Sequence, residues 1–251
     1  MGIVVALRCR LRAGWRLARM CLHLGYGVLL ATLWLPRLAP SARQPYIQTW
    51  AAKCLRVLGI TLQASGQPRP GAKLLVANHV SWLDIIAIHA VCPEARFVSK
   101  AEVRHWPVLG SLIDAAGTLF IERERKRDAM RVVHQMAEAL KAGDTVAVFP
   151  EGTTSDGHGL LPFHANLLQA AISTGTPVQP IALRFADAGA AVSAAAAYIG
   201  DTTLIESLLA VLMADGLRAQ VSVLSSGGSH HADRRALAEH VREQIATSLA
   251  G

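Results

Sequence analysis

From about Gln63 onward the chain alternates short apolar runs with longer stretches of helical periodicity, and this alternation restricts the fold more than any other feature. The runs 72–78 (AKLLVAN), 96–99 (RFVS), 117–121 (GTLFI), 145–150 (TVAVFP), 178–183 (VQPIAL) and 220–224 (QVSVL) have the length and apolar content of strands. Helical patterns lie between them near 84–91, 106–115, 127–142, 164–174 and 203–214, and a closing one lies near 233–249. Strands separated by helices are joined by crossovers, which lay the strands parallel and leave the helices on the sheet faces. The expected fold is therefore α/β, a largely parallel mixed sheet flanked by helices. Gly66-Gln67-Pro68-Arg69-Pro70-Gly71 reads as a linker and divides the chain at 1–65 and 66–251.

The first part has a different character. Up to Leu83 there are eleven Lys and Arg and no Asp or Glu, and the first acid is Asp84. So one-sided a distribution suggests an anionic partner, either nucleic acid or the anionic leaflet of a membrane. Arg8, Arg10, Arg12, Arg16 and Arg19 precede an uncharged run from Met20 to Pro36, and Arg37, Arg43, Lys53 and Arg56 follow it. A nucleic-acid arm has no need of such a run, so no nucleic-acid partner is expected. Seventeen residues is the lower limit for crossing a bilayer, which takes about 20. Basic flanks on both sides favour a segment that enters the cytoplasmic leaflet and returns. Tyr46, Ile47, Trp50, Ala51, Cys54, Leu55 and Leu58 recur at helical spacing and supply the returning helix, with Trp15, Trp34 and Trp50 as interfacial anchors. A cleaved signal peptide ending near LAPSA and a soluble helix pair buried in the core are the competing readings. The expectation is an N-terminal membrane-associated helical pair on the cytoplasmic face of the inner or plasma membrane. Hydrophobic residues make up 52% of the chain and charged ones 17%, against roughly 25% charged in ordinary soluble domains, which excludes intrinsic disorder. Cys9, Cys21, Cys54 and Cys92 show neither a zinc spacing nor a redox pair, and His230-His231 has no third ligand, so no metal is expected.

Polar residues collect where strands end. Asn78-His79-Val80-Ser81-Trp82-Leu83-Asp84 follows the first strand of the sheet domain. A histidine at a carboxyl edge faces the crevice where open α/β sheets bind ligands. Asp84 can bond its Nδ1–H and stabilise the imidazolium, leaving Nε2 to take a proton from a hydroxyl. The same residues also fit a capping box, with Ser81 as N-cap and Asp84 three residues on. Phe149-Pro150-Glu151-Gly152-Thr153-Thr154 follows another strand and offers an acid and two hydroxyls, or an ordinary turn. Arg123, after Phe120-Ile121-Glu122, is a candidate anion clamp or one charge in a solvated run.

Taken together, these blocks and Val178-Gln179-Pro180-Ile181 resemble the ordered motifs of the glycerolipid acyltransferases, which include the 1-acylglycerol-3-phosphate O-acyltransferases. The resemblance spans about 70–185. It implies that His79 and Asp84 are catalytic and that Arg123, Glu151 and Gly152 bind the acceptor, in a pocket to which Asn78, Ser81, Thr153 and Thr154 also belong. It places Phe97-Val98-Ser99-Lys100 and the stretch through Gly110 beside an acyl-chain tunnel, with Lys100 as a substrate-binding residue. It also implies acyl-CoA or acyl-carrier protein as co-substrate, a membrane lysolipid as acceptor, no resident cofactor, and a leaflet-bound helical pair. Two positions depart from the phosphatidate-forming pattern. Thr154 stands in the Arg place of Glu-Gly-Thr-Arg-Ser, and Pro162-Phe163-His164-Ala165-Asn166 stands where Pro-Phe-Lys-x-Gly is common. The retained Arg123 puts lysophosphatidate first as acceptor, with lyso-ornithine lipid as the alternative. A thioesterase using the same base on water, and a non-catalytic membrane-binding module, are the readings from other classes.

Overall fold

The computed structural model describes residues 2–106, 108–121, 126–229 and 233–251, with backbone alone for 2–6, 100, 121 and 126–129. Seven strands form one sheet: β1 (Thr61–Ser65), β2 (Lys73–Ala77), β3 (Ala95–Lys100), β4 (Leu119–Ile121), β5 (Thr145–Val148), β6 (Val178–Ala186) and β7 (Arg218–Val223). Their order is β1-β7-β6-β2-β5-β3-β4. Every neighbouring pair is parallel except β6 and β7. The sheet is thus mixed and mostly parallel, as the alternation predicts. β1 is not among the expected strands. It lies on the N-terminal side of 66–71 and pairs with β7 from Thr61↔Arg218 to Ser65↔Ser222, so that segment joins two strands of one sheet.

The helices are α1 (Gly2–Leu29), α2 (Pro40–Leu58), α3 (Leu83–Val91), α4 (Leu109–Ala115), α5 (Lys126–Lys141), α6 (Gln169–Thr174), α7 (Leu204–Met213) and α8 (Arg234–Ala250). Alternate strand residues point to opposite faces. Leu75, Ala77, Ala147, Ile181, Leu183 and Val221 therefore meet α2, α3 and α7 in one core. Leu74, Val76, Val146, Val148, Val178 and Ala182 meet α5, α6 and α8 in the other. β2 and β5 are buried along their whole length, which is why they read as unbroken apolar runs.

α1 continues through a π-type turn (Leu30–Trp34) and a 3-10 turn (Leu35–Arg37) before the chain reverses into α2. Leu7–Arg37 is long and apolar enough to cross a membrane, which is consistent with membrane association. Its outward face carries Leu7, Leu11, Trp15, Leu22, Tyr26, Leu29 and Leu33, all exposed. The returning helix behaves differently from the expectation. Ala51, Cys54, Leu55 and Leu58 are fully buried in the first sheet core, so this half of the α2 stripe faces protein and not lipid, while Tyr46 is exposed. Trp50, expected as an interfacial anchor, is half-buried against α1. Its ring stacks on His23 at 5.1 Å, its indole N–H donates to the His23 carbonyl, and the His23 ring bonds the Trp50 carbonyl at 3.0 Å. Gly27 permits this approach, because a Cβ there would fall 2.4 Å from Trp50 Nε1. Arg12 and Arg16, read as lipid-facing charges, are also spent inside the molecule. Arg16 donates to the carbonyls of Leu212 and Ala214, and Arg12 to that of Met213 and to Asp215. Arg8, Arg10 and Arg19 remain exposed.

Candidate active site

β2 and β5 pair in parallel register, Val76 opposite Val148, so the chain leaves both strands at the same edge. This brings His79 beside Glu151 across a separation of 72 residues. The loop after β2 then turns into α3, and one carboxylate oxygen organises the turn. Asp84 Oδ2 lies 2.7 Å from His79 Nδ1 and also accepts the N–H groups of Val80 at 2.7 Å and Ser81 at 2.9 Å. Asp84 is wholly buried, and its Oδ1 has no partner among the described residues. A carboxylate at Nδ1 fixes the neutral ring with its proton there and leaves Nε2 as the accepting nitrogen. The imidazole is 20% exposed, so it can be reached from the crevice.

Half of the expected capping box is made. Asp84 reaches back to the Ser81 N–H, but Ser81 Oγ is buried and has no partner among the described residues. Capping and holding the histidine are thus one act by one oxygen. Ser81, expected among the substrate-binding residues, is fully buried.

The strand-end loop after β5 grips the His79 backbone from both sides. Glu151 Oε1 accepts the His79 N–H at 2.7 Å, while the His79 carbonyl accepts from the Ser155 N–H at 2.8 Å and hydroxyl at 3.2 Å. The other Glu151 oxygen accepts the Leu161 N–H at 2.8 Å. Burial raises the Glu151 pKa, an effect that the two backbone donors oppose. Both oxygens of this carboxylate are therefore engaged with backbone, and Glu151 holds the His79 loop in place. The Phe149 ring lies flat against the imidazole, with centroids 4.1 Å apart and planes at 9°, and Phe97 stacks behind it at 5.6 Å.

Asn78 is also taken out of the pocket. It is buried, its amide donates to the Leu183 carbonyl at 2.9 Å, and its oxygen accepts the Leu183 N–H at 2.7 Å, tying the end of β2 to β6. Gly152 sits at φ +73°, where a Cβ would meet the His164 ring at 3.0 Å, so the turn needs glycine. Thr153 is exposed beside it. The Thr154 hydroxyl donates to the Tyr198 carbonyl, and the Tyr198 N–H donates to Val80 at 3.0 Å. Lys100 closes β3 opposite Ile121, and its side chain lies outside the described atoms. Arg123 and His230-His231 lie outside the described residues. Sequence reasoning missed Phe149 and Ser155 as site residues. Their only signal was position, immediately before and after Pro150–Thr154 at a strand's carboxyl end.

The acyltransferase family profile matches residues 61–184, which holds His79, Asp84, Phe97, Phe149, Glu151 and Ser155. The lyso-ornithine lipid O-acyltransferase of Pseudomonas aeruginosa is 36% identical over 250 residues, covering 98% of this chain and 95% of that protein. The chain belongs to the acyltransferase family. A 1-acyl-sn-glycerol-3-phosphate acyltransferase of Neisseria gonorrhoeae is 37% identical over 215 residues, 84% of this acyltransferase and 83% of its own length. The crystal structure of the 1-acyl-sn-glycerophosphate acyltransferase from Thermotoga maritima superposes with a TM-score of 0.72 at 20% identity, covering 98% of this chain and 96% of that one, and shares its fold.

Proposed function

We propose that this acyltransferase moves an acyl group from a thioester, acyl-CoA or acyl-carrier protein, to the hydroxyl of a lysolipid held in the cytoplasmic leaflet. The carrying observation is the 2.7 Å bond from His79 Nδ1 to buried Asp84 at the sheet's carboxyl edge. His79 Nε2 takes the proton of the acceptor hydroxyl as its oxygen attacks the thioester carbonyl. Asp84 stabilises the imidazolium, and the tetrahedral intermediate collapses with cleavage of the carbon–sulfur bond. The departing thiolate then recovers the proton from His79. The nucleophile is the acceptor itself, so no acyl-enzyme is formed. Glu151, Ser155 and Phe149 position the ring, and Arg123, Gly152, Thr153, Thr154 and Lys100 belong to the substrate-binding set.

Lyso-ornithine lipid is the acceptor this reading favours. Thr154 occupies the position where phosphatidate-forming relatives commonly carry arginine, and its hydroxyl is turned to the Tyr198 carbonyl. A phosphomonoester pocket needs cations or several N–H donors there. The near full-length similarity to the Pseudomonas aeruginosa relative points the same way. Lysophosphatidate is the second reading, favoured by Arg123 and by the equally similar Neisseria gonorrhoeae relative. Purified enzyme with each donor and a panel of lysolipids, read by product mass, decides between them. Thr154→Arg should depress turnover of lyso-ornithine lipid and raise that of lysophosphatidate. Wild-type acylation of lysophosphatidate alone would overturn the choice of acceptor, and loss of no activity in His79→Ala would overturn the mechanism.

A further inference from the structure

α7 is a short helix with two unlike faces. Ser207, Val211 and Leu212 are buried against the sheet core. Ile205, Leu209 and Met213, each four residues from the last, are 71%, 45% and 47% exposed. Ten residues with three large apolar side chains in a row toward solvent would be costly in water. The one acid on the helix, Glu206, is held by Thr203 in the N-terminal capping box and leaves the apolar row uninterrupted.

The C-terminal end of this helix is closed by α1. The carbonyls of Leu212, Met213 and Ala214 accept from Arg16, from Arg12 and the Cys9 thiol, and from Arg16 again. Last-turn carbonyls have no partner within the helix and must find one from side chains or water. Having them met by side chains is what a helix needs where water is scarce, since unpaired backbone groups are excluded from lipid. The same contacts set α7 beside residues 9–16 of α1, next to exposed Leu7, Leu11 and Trp15 and to exposed Arg8, Arg10 and Arg19. The exposed row of α7 thus belongs to a helix packed against α1, and the exposed cations of α1 suit anionic head groups.

We propose that α7 is a third membrane-docking element, lying in the interface of an anionic bilayer with Ile205, Leu209 and Met213 in the acyl boundary. The proposal rests on the reading of α1 as a membrane helix, and it places more than an anchor at the surface. Trp82, between His79 and Asp84, donates its indole N–H to Ser207 of α7 at 3.0 Å. A docked α7 therefore holds the loop of the proposed dyad one helix away from the lipid phase in which a lysolipid acceptor resides.

The test is binding of full-length protein to vesicles of phosphatidylglycerol and phosphatidylethanolamine, by flotation, for wild type, Ile205→Glu/Leu209→Glu, and Leu11→Glu/Trp15→Glu. The α7 pair should lower vesicle affinity roughly tenfold or more, with an unchanged melting temperature and unchanged turnover on micellar acceptor. Ile205→Ala/Leu209→Ala should give a smaller drop in the same direction, and it carries the test if the Glu pair fails to fold. Wild-type vesicle binding by both α7 variants, with binding lost in the α1 pair, would overturn the proposal alone. No loss in either pair would overturn the membrane reading with it. Conversion of a dimer to a monomer by the α7 pair with vesicle binding intact would assign the face to a second copy of the chain and likewise overturn it.

Discussion

Asp84 Oδ2 carries three hydrogen bonds while Oδ1 carries none among the described residues, and this imbalance lets rate and stability be separated. In Asp84→Asn the amide oxygen can keep all three donors. The NH2 then takes the buried Oδ1 position without an acceptor, which costs about 1–3 kcal/mol. The larger effect is on the reaction, because a neutral amide cannot stabilise the imidazolium. Turnover should fall about 10²–10⁴-fold, with a two-state melt still present. Kinetics and thermal melts on the same preparation check this, and a rate within tenfold of wild type would remove Asp84 from the proposed mechanism. His89 makes a separate prediction. Burial drives its pKa down to about 4 from 6.5, an effect partly opposed by its bond to the Pro93 carbonyl. Because the folded value is below the unfolded one, the unfolded chain binds the proton first. Stability is then full above about pH 6.5 and is lost as the pH falls toward 4. Between pH 7 and pH 5 the loss should be about 2 kcal/mol, and His89→Gln should flatten it. Urea unfolding of both proteins at the two pH values measures the slope, and equal slopes would contradict this origin.

At the scale of elements, legibility followed burial. β2 and β5 are covered on both faces, so their sequences are unbroken apolar runs, and β7 alternates because only one side is fully covered. β1 is an exposed edge with the sequence TLQAS, held by its pairing with β7, and nothing in its composition announces that partner. The α2 stripe shows the opposite failure. Its periodicity correctly gave a helix, but a buried face and a lipid face are written in the same residues. The site divides in the same way. The His79–Asp84 bond spans five residues and could be read from spacing, whereas the clasp of Glu151 and Ser155 on the His79 backbone depends on β2 lying beside β5. The arginines of α1 were likewise legible as charge and not as contacts. Arg16 donates two hydrogen bonds to the end of α7, so Arg16→Ala should destabilise the protein by about 1–2 kcal/mol after allowance for its partial exposure. Arg8→Ala, at an exposed position, should not. Chemical denaturation of the two variants is the comparison, and equal stabilities would mean that the α1–α7 contact contributes nothing.

For the molecule as a whole, the two N-terminal helices do different jobs, and this determines where the chain can be cut. Among the described residues of α1, Met20 alone is fully buried in the first sheet core, with Ala13 and Leu24 partly buried against it, whereas α2 supplies Ala51, Cys54, Leu55, Val57 and Leu58. The exposed apolar row and Arg8, Arg10 and Arg19 all lie on the α1 side of Leu38. Removing residues 1–38 should therefore leave a protein that melts cooperatively, at a lowered temperature because the α7 carbonyls lose Arg12 and Arg16. It should lose most of its vesicle binding and retain turnover on acceptor in detergent micelles better than on acceptor in bilayers. Removing residues 1–70 takes five buried core side chains of α2 and the β1 edge as well. At about 1.5–3 kcal/mol for each large buried apolar side chain, Leu55, Val57 and Leu58 alone are comparable to the total stability of an ordinary domain, about 5–15 kcal/mol, before β1 pairing is counted. The longer deletion should not fold. Circular dichroism melts of the two truncations, with flotation and paired micelle and vesicle assays, decide the matter. A cooperative melt of 71–251 would return α2 to the membrane, and full vesicle binding by 39–251 would take that role from α1.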